Sequence, residues 1–121
     1  MVKSMKISKV AELLEARICA GEEYLDDEVH SACGSDLMSD VLAYVKNQAV
    51  LLTGLVNPQV IRTAEMMDMV CVVFVRSKTP TPEMVELARE SGMIILKSKK
   101  RMYEACGKLY ANGLNSRGEV K

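Results

Sequence analysis

The chain is expected to fold as a small layered α/β domain, a mostly parallel sheet of four to five strands flanked by helices. Three observations predict this. Apolar runs of strand length recur at 17–20, 49–53, 69–75 and 93–96, and segments of helical period lie between the later ones. The run from Met69 to Val75 is apolar on both faces and rich in Val, as a strand is when helices cover both sides of a parallel sheet. The helical segments carry their own start and stop residues, with Asn57-Pro58 and Thr81-Pro82 opening two of them and Gly92 and Gly113 closing two. Strands alternating with such helices imply right-handed crossovers in one sheet.

The elements follow in order. Val10, Leu13 and Leu14 share one face of a first helix over 8–16, which Ser8 can cap. Arg17-Ile18-Cys19-Ala20 reads as a short strand, and the acidic stretch 21–28 as a surface loop. Val29 to Gly34 is a second, weakly apolar strand. Ser35 or Asp36 caps a helix reaching Lys46, with Leu37, Val41, Leu42 and Val45 on its inner face. After the strand at 49–53, the Asn57-Pro58 helix turns Val60, Ile61, Ala64 and Met67 inward. The Thr81-Pro82 helix buries Met84, Val85, Leu87 and Ala88. Ser98 is the expected cap of a last helix with Met102, Ala105, Cys106 and Leu109 on one face. Residues 1–114 form one domain, and 115–121 a polar tail.

Composition narrows the function classes. The chain has 121 residues, 49% hydrophobic, which suits one self-sufficient core. Sixteen basic side chains balance sixteen acidic ones, so the cationic surplus that nucleic-acid binding draws on is missing. No apolar run has membrane-spanning length and no signal peptide opens the chain, so a cytoplasmic location is expected. The four cysteines, at 19, 33, 71 and 106, form no Cys-x-x-Cys pair, and there is one histidine, so no structural metal or cofactor is expected.

A resemblance enters through particular residues. Gly34-Ser35-Asp36-Leu37-Met38-Ser39-Asp40-Val41, the Leu51-Leu52-Thr53 strand, the Asn57-Pro58 helix and the Val70–Val75 strand together resemble the DRTGG domain family. That family is similar in fold to the N-terminal domain of HPr kinase/phosphorylase. The resemblance spans roughly Val10 to Leu114. It implies an α/β regulatory domain of the kind attached to nucleotide-sensing CBS pairs or to enzymes of acetyl-phosphate metabolism, and it implies a partner enzyme. The pentapeptide naming the family is absent here, and Arg76-Ser77-Lys78 stands where relatives tend to carry a Thr-Gly-Gly-like turn. No Gly-x-x-x-x-Gly-Lys-Ser/Thr phosphate loop occurs, so kinase activity does not carry over.

The candidate chemistry is ligand binding. Arg76 and Lys78 follow one strand, and Lys97, Lys99, Lys100 and Arg101 follow the next. In a parallel sheet both turns leave by the carboxyl edge, where open α/β folds bind ligands. Ser77, Thr79 and Ser98 add hydroxyls, and the Gly34-Ser35-Asp36 junction adds a helix start. The expected ligand set is Ser35, Asp36, Arg76, Ser77, Lys78, Ser98, Lys100 and Arg101, around a small anionic or nucleotide ligand. Each has a plainer reading, as a helix cap or a solvated rim. Asp36 and Asp40, four apart, can hold Mg²⁺ through water but more commonly are surface acids. His30 and Cys33 invite a thiolate–imidazole pair, yet three residues apart on a strand they face opposite ways. The function expected is therefore non-catalytic sensing with a homodimer as the output. The alternative is a structural accessory subunit of a metabolic or redox complex, and a small enzyme acting on phosphorylated substrates is the remaining reading.

Overall fold

A computed structural model describes residues 4–44 and 48–114. Four strands run parallel: β4 (Ser31–Gly34), β5 (Ala49–Thr53), β6 (Cys71–Phe74) and β7 (Ile94–Lys97). With β2 (Arg17–Ala20) they make one five-stranded sheet of order β2-β7-β6-β5-β4. β2 joins β7 antiparallel, with a bulge between Ile18 and Ala20. The mostly parallel sheet flanked by helices is thus present.

Helices α2 (Met38–Tyr44), α3 (Pro58–Met66) and α4 (Pro82–Ser91) link the parallel strands and cover one face. Helices α1 (Ile7–Leu14) and α5 (Met102–Ala111) cover the other. The side chains of β5, β6 and β7 alternate between two cores for this reason. Val50, Leu52, Cys71, Val73, Ile94 and Leu96 meet α1 and α5. Leu51, Val72, Phe74 and Ile95 meet the other three helices. A strand buried on both faces must be apolar throughout, which is what the sequence of β6 displays.

Local signals acted as expected at two helix starts. The Asn57 side chain accepts from Gln59 N–H at 2.8 Å and the Thr81 hydroxyl from Met84 N–H at 3.2 Å, each followed by Pro. Gly92 closes α4 at φ 71°. Four expectations need correction. The first helix begins at Ile7 with Lys6 in the cap position, so Ser8 lies inside it. The last helix begins at Met102, because Ser98 is held by β6 and α1 as described below. The stretch 28–34 divides: β3 (Glu28–Val29) pairs with β1 (Met5–Lys6) in a separate antiparallel ribbon, and only 31–34 enters the main sheet. Leu37 and Leu42 are exposed, while Val41 is fully buried. Leu37 precedes the helix, and α2 sits over the edge of the sheet, where one row of side chains finds cover. Val45, Lys46 and the tail at 115–121 lie outside the described residues.

The cysteines are free thiols. Burial alone pushes the Cys71 thiol far above the ordinary 9.0. The folded chain therefore keeps this proton where the unfolded chain releases it. Its contribution to stability is whole below pH 9 and declines as pH rises above that value. Urea midpoints at about pH 7.5 and about pH 10 are expected to differ, by roughly 1.4 kcal/mol per pH unit beyond the unfolded value. Cys71→Ala should flatten most of that fall, and an equal decline in the variant would contradict the assignment.

Candidate functional site at the carboxyl edge of the sheet

The exits of β6 and β7 lie side by side because the two strands are paired neighbours. Backbone hydrogen bonds join their loops. Arg76 N–H donates to Lys100 C=O at 2.8 Å, Ser77 N–H to Ser98 C=O at 2.9 Å, and Ser98 N–H to Phe74 C=O at 2.9 Å. The β6 loop is a tight turn closed by Lys78 N–H to Val75 C=O at 3.1 Å. Its two central residues, Arg76 and Ser77, have φ of 58° and 59°, the pattern of a type I′ turn. Non-glycine residues in the left-handed region cost about 1–2 kcal/mol each. Here the strain is met by the two bonds that fasten the turn to the β7 loop.

The side chains then part company. Arg76 reaches sideways, its Nη2 3.6 Å from Asp36 Oδ2. The other Asp36 oxygen accepts from Gly54 N–H at 2.7 Å and from the Thr53 hydroxyl at 3.0 Å. One carboxylate thus braces the ends of β4, β5 and β6. A side chain at Gly54 would meet the Arg76 guanidinium, which would have to leave Asp36 to make room. Lys100 turns toward Glu15, 3.3 Å away, with its side chain only 20% exposed. Ser98 is buried, donating to Leu14 C=O at 2.8 Å and accepting from Lys100 N–H at 3.1 Å. Its hydroxyl ties α1 to the sheet and is closed to a ligand, which removes it from the expected set. Ser35 bonds Leu37 N–H at 3.0 Å, and its own N–H goes to Leu52 C=O, so that junction offers few free donors.

The set expected from sequence is therefore brought to one edge but not to one hollow. Arg76, Asp36, Ser35, Ser98 and Lys100 hold the edge together. The side chains of Ser77, Lys78 and Arg101 are exposed and make no hydrogen bond or ion pair among the described residues. Three hollows flank these loops, one of about 350 Å³ lined by Leu14, Glu15, Lys99, Lys100 and Glu104. A basic one of about 230 Å³ is lined by Glu15, Arg17, Lys97 and Lys99. A larger apolar depression of about 770 Å³ is lined by Thr79, Pro80, Pro82, Val85, Glu86, Arg89 and Glu90. Lys97 of the basic hollow donates through Nζ, at 2.7 Å, to the hydroxyl of Thr79, which lines the apolar depression.

Arg17 escaped the sequence reading. It opens β2 and pairs with Lys97, the last residue of β7. Because β2 runs antiparallel, its first residue stands at the carboxyl edge. Nothing in a four-residue apolar run states its direction, so Arg17 carried no signal.

The groups considered for catalysis do not assemble. Burial raises the Cys33 thiol, and the nearby Cys106 and Asp40 raise it further. His30 lies at the opposite end of β4 beside Asp26, Asp27, Glu28 and Gln48. Among the described residues no three His, Cys, Asp or Glu side chains are placed to hold a metal. No helix there is long and apolar enough to cross a membrane.

No protein-family model and no curated protein matches the chain. Eight chains of solved structures do. One is the crystal structure of the CBS and DRTGG domains of the regulatory region of Clostridium perfringens pyrophosphatase, complexed with its activator diadenosine tetraphosphate. The superposition has a TM-score of 0.70 at 11% identity and covers 96% of this chain. The fold is CBS/DRTGG-like. The chain spans half the length of that neighbour, 50%, and at this identity the likeness concerns the fold alone.

Proposed function

We propose that this chain is a non-catalytic regulatory module that binds a nucleotide at the carboxyl edge of its sheet. The observation carrying the proposal is the junction at Lys97 and Thr79, which places a basic hollow beside an apolar depression. A nucleotide has the matching two ends, phosphates for Arg17, Lys97 and Lys99 and a base for the face of Pro80, Pro82 and Val85. Lys78 and Arg101 extend the cationic rim. The pyrophosphatase regulatory region of similar fold, solved with a dinucleotide activator, supports this class of ligand. The likeness to the N-terminal domain of HPr kinase/phosphorylase belongs to the same reading. So do a cytoplasmic location, output through a homodimer and a partner enzyme that receives the signal. In the alternative reading, a structural accessory subunit of a metabolic or redox complex, no small molecule binds.

Thermal unfolding separates the two. A ligand binding only the native state at a hundredfold excess over its dissociation constant adds about 2.7 kcal/mol. ATP or diadenosine tetraphosphate should therefore raise the melting temperature by several degrees, with tripolyphosphate or adenosine alone giving less. A flat response across the panel favours the accessory subunit.

A further inference from the structure

The core-facing residues of α5 are Ala105 and Leu109, buried against the sheet. At 3.6 residues per turn the middle of its outward face is Gly107. Nothing among the described residues asks for glycine there. A Cβ at 107 would meet no atom within 4 Å, and its φ is not positive. A glycine inside a helix costs about 1 kcal/mol relative to alanine. On one side of Gly107 stand Tyr103 and Tyr110, 90% and 70% exposed. These are two of only five aromatic residues in the chain. On the other side stand Glu104, Lys108 and Ala111, all exposed.

We infer that this face of α5 packs against α5 of a second copy, antiparallel about a two-fold axis near Gly107. Such an axis returns each row of side chains to its own side with its order reversed. Tyr103 then meets Tyr110 of the second copy, and Glu104 meets Lys108 of the second copy, each pair occurring twice. The acid and base are thus self-complementary in this orientation, whereas a parallel pairing about an axis along the helices sets the Glu104 side of one copy against the Tyr103 side of the other and brings no acid to a base. Glycine at the centre lets the helix backbones approach closely, and aromatic side chains are enriched at such contacts. A ten-residue helix is about 15 Å long, so the contact belongs with small, transient interfaces and a dissociation constant on the order of micromolar.

The inference specifies the dimer element of the proposed function, and the test reads ligand binding separately. Sedimentation of the full chain from about 1 to about 300 µM is expected to pass from 13.4 kDa to twice that mass. Gly107→Arg should remain monomeric throughout with its melting temperature kept, since the site has room for a side chain. Glu104→Lys should weaken association roughly three- to tenfold, and adding Lys108→Glu should restore it. A wild-type chain monomeric at the highest concentration would overturn the inference and leave the face to another protein. So would dimers that persist in Gly107→Arg, or a charge swap that the second substitution does not rescue. A nucleotide-induced thermal shift that survives in Gly107→Arg keeps the binding proposal standing whichever way association falls.

Discussion

Phe74→Ala is expected to remove about 3–5 kcal/mol of folding stability. Phe74 is the only phenylalanine in the chain and is fully buried among the side chains of the α2–α3–α4 face. Truncation leaves a cavity that these neighbours fill only in part, because each is anchored to its own helix. A domain of this size has about 5–15 kcal/mol in total, so the variant loses a large fraction of it. Phe74 also accepts, through its carbonyl, the N–H of Ser98. Loosening the end of β6 should therefore reach the candidate site, with nucleotide binding weakened before global unfolding. Urea denaturation gives the stability, and a loss under about 1.5 kcal/mol would contradict the packing described.

Gly21→Ala should be almost as damaging, with roughly 2–4 kcal/mol lost. Gly21 follows β2 with φ of 87° and is buried. A methyl group there would lie 2.8 Å from Ile94 Cγ1 and 2.9 Å from Ile94 Cα, and the latter is backbone in the sheet, unable to swing aside. Left-handed strain adds to the collision. Gly92→Ala provides the comparison. Gly92 also has positive φ, 71°, but a side chain there would meet only the Tyr24 hydroxyl, at 4.0 Å. It should show the strain without the clash and lose about half as much. Equal losses in the two variants would show that close approach at Ile94 is not the decisive factor.

The fold was readable wherever burial imposes a period or a cap imposes a residue type. The all-apolar β6, the Asn57-Pro58 and Thr81-Pro82 starts and the Gly92 stop each follow from one local requirement. The errors share a cause. Ser8 and Ser98 have the composition of caps, but tertiary contacts decide their roles: Ser98 is bonded to Leu14, 84 residues away in sequence. Leu37 and Leu42 fit an apolar stripe, yet Leu37 precedes its helix and the helix carrying Leu42 sits where the sheet ends. Strand direction is another property that composition does not encode, which is why β2 was recognised as a strand without Arg17 being recognised at the carboxyl edge.

The site was legible to the level of the two loops. The pairing of β6 with β7 brings Arg76–Lys78 against 97–101, as adjacent parallel strands require. Which cations face outward depends on neighbours remote in sequence. Asp36 draws Arg76 aside, and Glu15 draws Lys100. Those pairs leave Arg17, Lys97 and Lys99 around the basic hollow, with the apolar depression beyond Thr79.

Calorimetric titration of diadenosine tetraphosphate into the wild-type chain and into the Lys97→Ala/Lys99→Ala variant tests the sensing account most directly. A charge-assisted hydrogen bond contributes about 1.5–3 kcal/mol, so the double variant should bind at least a hundredfold more weakly, at unchanged melting temperature of the free protein. Saturable binding by the wild type together with that loss is the predicted result. No heat of binding in the wild type, or equal affinity in the two proteins, would contradict a nucleotide site at this edge.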